Sequence, residues 1–224
     1  MEQDAGRSAI VVAGGDEEGQ FLPGSLPLDA VVIAADGGAH LAARLGRRVD
    51  LLVGDLDSIA DEDLAALVED GVRIQRHPAD KDETDLELAL DAAVVAGADR
   101  VDIVGGAGGR RSHDVGNLGL ICSGRFAHVA IRWWSGRALV VPVHDRVEIE
   151  IVPGALVSLV PVGGSVTGVR TDGLRWPLHG DELAAGSTRG VSNVAVSSPI
   201  AVSVDSPQSA SLALIIDEAQ EVRS

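Results

Sequence analysis

The sequence predicts an α/β domain, with a mostly parallel sheet covered by helices on both faces, followed by an all-β sandwich domain. Two observations predict it. Up to about residue 134, short apolar runs alternate with helix-like segments, the pattern of strands joined by crossover helices. Beyond that point the chain becomes a series of short, Val-rich runs separated by turn residues, with no convincing helix among them. The composition allows both cores: 46% of residues are hydrophobic and only 2% aromatic, so Val, Leu, Ile and Ala must do the packing. The boundary is expected near Ser135-Gly136, giving an α/β domain over residues 1–135 and a sandwich over 136–224.

The elements follow in order. Residues 8–13 form an apolar strand closed by Gly14-Gly15-Asp16, and residues 20–28, with two Pro and one Gly, read as loop. Residues 29–35 are a second apolar run closed by Asp36-Gly37-Gly38, and 39–45 suit a short helix ended by Gly46. Residues 49–53 make a third strand that runs into Gly54-Asp55-Leu56-Asp57. A helix over 61–69 and a short strand over 72–75 come next. Residues 82–96 carry the clearest helical periodicity, with Leu86, Ala89, Leu90, Ala93 and Val94 on one stripe. Asp80-Lys81-Asp82-Glu83 offers an acidic cap before it, and Gly97 stops it. A strand over 101–104 leads into Gly105-Gly106-Ala107-Gly108-Gly109, a helix over 114–121, and a strand over 127–133. The sandwich strands are expected at 138–143, 147–152, 155–160, 165–169, 194–196, 201–204 and 211–216, with a polar tail after Asp217.

Charge and cysteine usage narrow the function. A net charge of −16 argues against nucleic-acid binding, which needs clustered basic residues. Lys81 is the only Lys, and every other basic residue apart from His is Arg. Cys122 is alone in an apolar run, which excludes an intramolecular disulfide and a cysteine-based zinc site and suits a small buried hydrophobe. No apolar leader opens the chain, and no stretch approaches the ~20 apolar residues that cross a bilayer. The expectation is a cytoplasmic protein with no membrane partner.

The chemistry gathers at strand ends. In open α/β sheets, ligands bind beyond the carboxyl ends of the strands, and several ends here finish in acid or glycine. On a strand or its exit, Asp55 and Asp57 point the same way and converge. Like charges held so close call for a cation, and a hard ion such as Mg²⁺ takes carboxylate and phosphate oxygens. The plainer reading is a turn and helix-cap pair. Asp82 and Asp85, three apart on the expected helix, add a third or fourth carboxylate, or else simply compensate the helix dipole. The glycine pairs, Gly37-Gly38 among them, leave backbone N–H groups free to face phosphate. Gly108-Gly109-Arg110-Arg111-Ser112-His113-Asp114 supplies positive charge, with Arg suited to bidentate phosphate contacts. His113 reads as phosphate-facing or capping, since adjacent residues such as His113 and Asp114 rarely face each other. No nucleophile-elbow or P-loop motif is present. Carboxylates, Mg²⁺, glycine loops and Arg are the parts of a phosphoryl-type transferase.

These residues carry a resemblance. Ala35-Asp36-Gly37-Gly38-Ala39, Gly54-Asp55-Leu56-Asp57-Ser58-Ile59, Asp80-Lys81-Asp82-Glu83-Thr84-Asp85 and Gly108-Gly109-Arg110 resemble, in order and spacing, blocks of the thiamine pyrophosphokinase (thiamine diphosphokinase) family. Gly173 to Leu178 and Gly186 to Asn193 extend the resemblance into the second domain. It implies pyrophosphoryl transfer from ATP to the thiamine hydroxyl, giving AMP and thiamine diphosphate, by a homodimer with thiamine near the subunit interface. It implies Asp55, Asp57 and Asp85 as Mg²⁺ ligands with Asp82 close by. Asp36, Gly37, Gly38, Lys81, Thr84, Arg110, Ser112 and His113 would line the ATP region, and Trp176, Ser192 and Asn193 would hold thiamine. From the residues alone, Trp176 reads equally as a sandwich-core side chain. One departure stands out: where the family block usually reads Gly-Gly-Arg-x-Asp-His, this chain has Ser112 at the Asp position. Two alternatives follow, a pyrophosphokinase for another hydroxymethyl heterocycle such as a pterin, and a thiamine- or nucleotide-binding sensor with weakened catalysis.

Overall fold

Ile10, Val11 and Val12 are successive residues of one strand and all are wholly buried. Because successive side chains point to opposite faces, that strand is covered on both sides, the condition under which parallel sheets form. It is β1 (Arg7–Ala13) in a computed structural model that describes residues 6–15, 26–205 and 210–217. Asp16, the first part of the expected 20–28 loop, and the polar tail after Asp217 lie outside the described residues. The described chain divides into two compact units, one of residues 6–15, 26–114 and 129–131, the other of residues 115–128, 132–205 and 210–217.

In the first unit β1 lies between β2 (Val31–Ala35) and β5 (Ala98–Gly105), and the order β5-β1-β2-β3-β4 is parallel throughout. β3 (Leu51–Gly54) and β4 (Arg73–Arg76) complete it. Asp50, the acid inside the third apolar run, accepts a bond from Val32 N at 2.9 Å, which ties β2 to β3 at the end opposite the strand exits. α1 (Gly38–Arg44) packs on β1 and β2, and α3 (Asp85–Val95) packs across β1, β2, β3 and β5. α2 (Asp61–Glu69) buries no residue fully. α4 (Arg111–Ile121) follows β5 and starts three residues earlier than the sequence suggested.

The start of α3 corrects the sequence reading. The helix begins at Asp85, not Asp82, and its cap is Thr84, whose Oγ1 accepts the Glu87 N–H at 3.2 Å. Asp82 therefore lies ahead of the helix, exposed, and shares no helix face with Asp85. The Thr-x-x-Glu signature of a capping box sits one step downstream of the acidic run that resembled one.

The second unit contains antiparallel strands in two sheets. One carries the order β12-β9-β14-β7-β6, from β6 (Ala130–Ser135), β7 (Ala138–Val143), β9 (Leu156–Val162), β12 (Asn193–Val194) and β14 (Ser211–Ile216). The other has the order β11-β10-β13-β8, from β8 (Arg146–Ile149), β10 (Val166–Asp172), β11 (His179–Leu183) and β13 (Ile200–Ser203). Its core is mostly aliphatic, with Leu139, Leu159, Leu183, Ile200, Val202 and Leu212 buried alongside the aromatic Phe126, Trp133 and Trp134. β11 has no counterpart in the sequence reading. It is an edge strand whose only buried residue is Leu183, so its polar sequence lacks the apolar run that reveals inner strands. Among the described residues, no helix is long and apolar enough to cross a membrane.

Candidate active site: an acidic cluster at parallel strand exits

Parallel pairing puts the exits of all five strands on one edge of the first sheet. Ala35 is level with Val53, so the residues that follow them, Asp36 and Gly54-Asp55, emerge side by side. Asp36 N donates to Val53 O at 2.8 Å and fixes this junction. Among the described residues, Asp36, Asp55 and Asp57 form one group whose carboxylate oxygens lie within 4.8 Å of one another. The Asp36 Oδ1 atom is buried and has no hydrogen-bond partner.

Asp55 and Asp57 converge for a reason other than strand pleating. β3 ends at Gly54, and the two acids flank Leu56, which is buried at φ +67°. The reversal lets Asp55 Oδ1 accept the Asp57 N–H at 3.2 Å, an Asx-type turn. Asp36 also has positive φ, at 44°. Left-handed backbone is costly away from Gly, and two such residues in one acidic cluster mark a place where packing enforces the geometry. The charge of Asp55, followed by partial desolvation and the charge of Asp36, pushes the Asp57 carboxyl above its usual range.

Asp85 and Lys81 complete the cluster. Lys81 Nζ lies 3.0 Å from Asp85 Oδ1 and 3.7 Å from Asp55 Oδ2, with its side chain only 11% exposed. Burial pulls the ammonium pKa down, but the bond to Asp85 and the charges of Asp85, Asp55 and Asp36 outweigh it, and the pKa stands above the usual Lys value. Gly54 makes the assembly possible: a Cβ there would stand 3.1 Å from Asp85 Oδ1 and 3.2 Å from Asp36 Cβ, on a backbone at φ +148°. The donor set fits a hard divalent cation, since it consists of carboxylate oxygens, mutually repelling and with one buried oxygen unpartnered.

The glycine loops flank this cluster through β1 and β5. Gly106 N donates to Gly14 O at 3.1 Å, so the two loops are tied at neighbouring exits. Arg110, Ser112 and His113 are exposed at the start of α4, and the Arg110 carbonyl accepts the first helical bonds from His113 N and Asp114 N. Asp114 Oδ1 accepts the Gly108 N–H at 3.2 Å. That carboxylate clamps the loop, so it does not stand in for the acid missing at Ser112.

The second unit presents Trp176. It is 58% exposed, whereas Trp133 and Trp134 are buried, which rules out the core reading. Asn193 grips its backbone: Oδ1 accepts Trp176 N at 3.1 Å and Nδ2 donates to Trp176 O at 2.8 Å. The same Oδ1 accepts Val194 N at 2.8 Å. The Arg175 guanidinium lies 5.7 Å from the Trp176 ring centroid. Ser192, at φ +62°, is the third described non-Gly residue with positive φ, and its N–H donates to Ser158 Oγ at 3.1 Å.

Comparison with known proteins accounts for both halves. Residues 26–132 match the family model for the thiamin pyrophosphokinase catalytic domain, and residues 146–208 match that for the thiamin pyrophosphokinase vitamin B1 binding domain. Thiamine pyrophosphokinase 2 of Arabidopsis thaliana is 30% identical over 200 residues, 78% of this chain and 74% of that protein. This chain belongs to the thiamine pyrophosphokinase family. The thiamine pyrophosphokinase of Bacillus subtilis is 27% identical over 151 residues, which spans 62% of this chain and 66% of that one. The crystal structure of thiamin pyrophosphokinase from Geobacillus thermodenitrificans superposes with a TM-score of 0.79 at 26% identity, covering 94% of this chain and 97% of the other. The Bacillus subtilis structure gives 0.81 at 24% identity, a likeness of fold.

Within this family member, the expected metal residues fall in two places. Asp55 and Asp57 stand together with Asp36, which the sequence pointed to as a nucleotide residue instead. Asp85 stands beside Asp55 but is engaged by Lys81. Thr84 spends its hydroxyl on the α3 cap. Sequence reasoning missed the meeting of Asp36 with the Asp55 pair. The signal was present as two acid-ended strands in succession, but only the adjacency of β2 and β3 turns it into a contact.

Proposed function

We propose that this chain is a Mg²⁺-dependent thiamine diphosphokinase. A bond forms between the thiamine hydroxyl oxygen and the β-phosphorus of ATP as the hydroxyl proton is lost to solvent, and the bond from that phosphorus to the α–β bridging oxygen breaks, releasing AMP. The observation that carries the reading is the convergence of Asp36, Asp55 and Asp57 at adjacent strand exits in a chain of this family. Asp55 and Asp57, with Asp85 or Asp36, would hold Mg²⁺, which neutralises phosphate charge and fixes the triphosphate when bound. Lys81 and Arg110, with the backbone at Gly37 and Gly38 and the side chains of Ser112 and His113, would hold the phosphates. The exposed ring of Trp176 offers its face to the cationic thiazolium. Residues 1–135 act as the catalytic domain, and residues 136–224 bind thiamine and dimerise.

The proposal includes a cytoplasmic homodimer. Val152, Leu156, Trp176, Val191 and Val196 are all exposed apolar residues on segments around β9 and β12, a set that a partner subunit would cover.

Purified protein supplied with ATP, thiamine and Mg²⁺ is expected to yield AMP and thiamine diphosphate in equal amounts. Asp55→Asn should lower the rate by roughly two orders of magnitude or more, as loss of a charge-stabilising group does. A panel including a hydroxymethyl pterin tests the acceptor. AMP release with the pterin and not with thiamine, or no AMP at all, would overturn the assignment.

A further inference from the structure

Lys81 is the sole Lys in a chain that otherwise uses Arg, and it stands inside the acidic cluster. The choice of cation matters. A guanidinium is a planar fork that locks onto carboxylates in pairs, whereas an ammonium is a compact charge on a flexible stem that can let go and re-aim. Here the ammonium sits much as a small metal ion would, between oxygens of Asp55 and Asp85. Asp55 is the shared member: Oδ2 faces Lys81, Oδ1 accepts Asp57 N–H, and the same residue belongs to the trio with Asp36 and Asp57. Any divalent ion that draws on Asp85, or on Asp55 Oδ2, must compete with Lys81. Resting on the reading above, that competition has a second side, because a released ammonium is well placed to meet the phosphates arriving with the ion.

We propose that Lys81 is a built-in counter-cation: it holds Asp55 and Asp85 together in the metal-free protein, yields them to the incoming divalent ion, and transfers its charge to the nucleotide phosphates. The arrangement makes the cluster a poor site for a bare metal ion and a good one for a metal–nucleotide pair. The free protein is thereby spared an uncompensated group of carboxylates. Binding of the ion and binding of the nucleotide become coupled through one side chain.

The test separates this from a merely structural role, which would weaken both kinds of binding. Mn²⁺ is titrated by electron paramagnetic resonance into the full-length protein without nucleotide, then with a non-hydrolysable ATP analogue, for the native chain, Lys81→Gln and Lys81→Arg. Removing one charge at this distance should let Lys81→Gln bind bare Mn²⁺ on the order of tenfold more tightly. The same variant should bind the Mn²⁺–analogue pair several-fold more weakly, while Lys81→Arg keeps weak binding of the bare ion because its charge still competes. Circular dichroism and thermal melting of each metal-free variant establish that it is folded. A folded Lys81→Gln whose affinity for bare Mn²⁺ is unchanged or lower overturns the proposal, as does absence of Mn²⁺ binding in every form. Failure of the enzyme assignment is read elsewhere, from AMP formation by the native protein. An active native enzyme with an unaltered Mn²⁺ affinity in Lys81→Gln would reject the counter-cation role alone.

Discussion

Asn193 shows how a side chain expected to touch a ligand can act through a neighbour. Its amide is spent on the backbone of Trp176 and on Val194, and it is itself 8% exposed. The ring it positions is free on the surface. Asn193→Ala removes three hydrogen bonds and leaves polar backbone atoms in part-buried positions, a loss of about 1–3 kcal/mol for the groups left unpaired. The expected kinetic result is a KM for thiamine raised roughly tenfold with kcat within about threefold, because ground-state and transition-state binding are lost together. Trp176→Ala should raise KM similarly, and the double variant should add little, since both act on one contact. Steady-state kinetics on the three variants decide it. An additive double variant would mean that Asn193 contacts thiamine on its own account.

Single elements differ in how plainly the sequence announces them, and the reason is burial. β1 and β2 stand out because both their faces are covered and the apolar run is unbroken. β11 stays hidden because an edge strand buries one residue and needs no pattern. The start of α3 is obscured by Asp80 to Asp85, in which several acids imitate a cap that Thr84 in fact provides. The acids at strand exits are legible as chemistry, but Asp36 joins Asp55 only through sheet order, and Lys81 reaches Asp85 across the loop before the helix.

β11 also carries a prediction. Asp181 accepts the His179 N–H at 2.7 Å and an ion-paired bond from Arg189 at 2.5 Å. These hold its carboxyl below the usual range, the backbone bond first and the Arg189 bond second. A depressed carboxylate pKa contributes stability that is full above the unfolded value and is lost as pH falls through the folded one. Asp181→Asn should therefore melt lower than the native protein at pH 7, with the gap closing as the pH drops below the ordinary Asp range. Thermal melts from pH 7 down to the acid limit of folding measure it. A gap that persists undiminished in acid would assign the effect to packing instead of charge.

At the scale of the whole molecule, 34 acidic residues face 18 basic ones, and the acidic cluster concentrates the same imbalance locally. The two levels answer to different ions. Diffuse repulsion among surface carboxylates falls as the screening length shrinks from roughly 30 Å at 0.01 M salt to about 10 Å at 0.1 M, whichever cation supplies the ionic strength. The cluster of Asp36, Asp55 and Asp57 responds only to an ion that its oxygens can grip. Raising NaCl from low concentration should raise the Tm of the native protein and of Asp55→Asn alike. Millimolar MgCl₂ with a saturating non-hydrolysable ATP analogue, compared with NaCl plus the same analogue at equal ionic strength, should raise the native Tm further and leave Asp55→Asn on the NaCl curve. At about 100 times its Kd, an ion that binds only the folded state adds about 2.7 kcal/mol. For a chain of this size that is roughly 5–10 °C of additional Tm. Coincident Mg²⁺ and Na⁺ curves for the native protein would reduce the cluster to one more patch of surface charge. A Mg²⁺ increment that survives in Asp55→Asn would move the ion to carboxylates elsewhere.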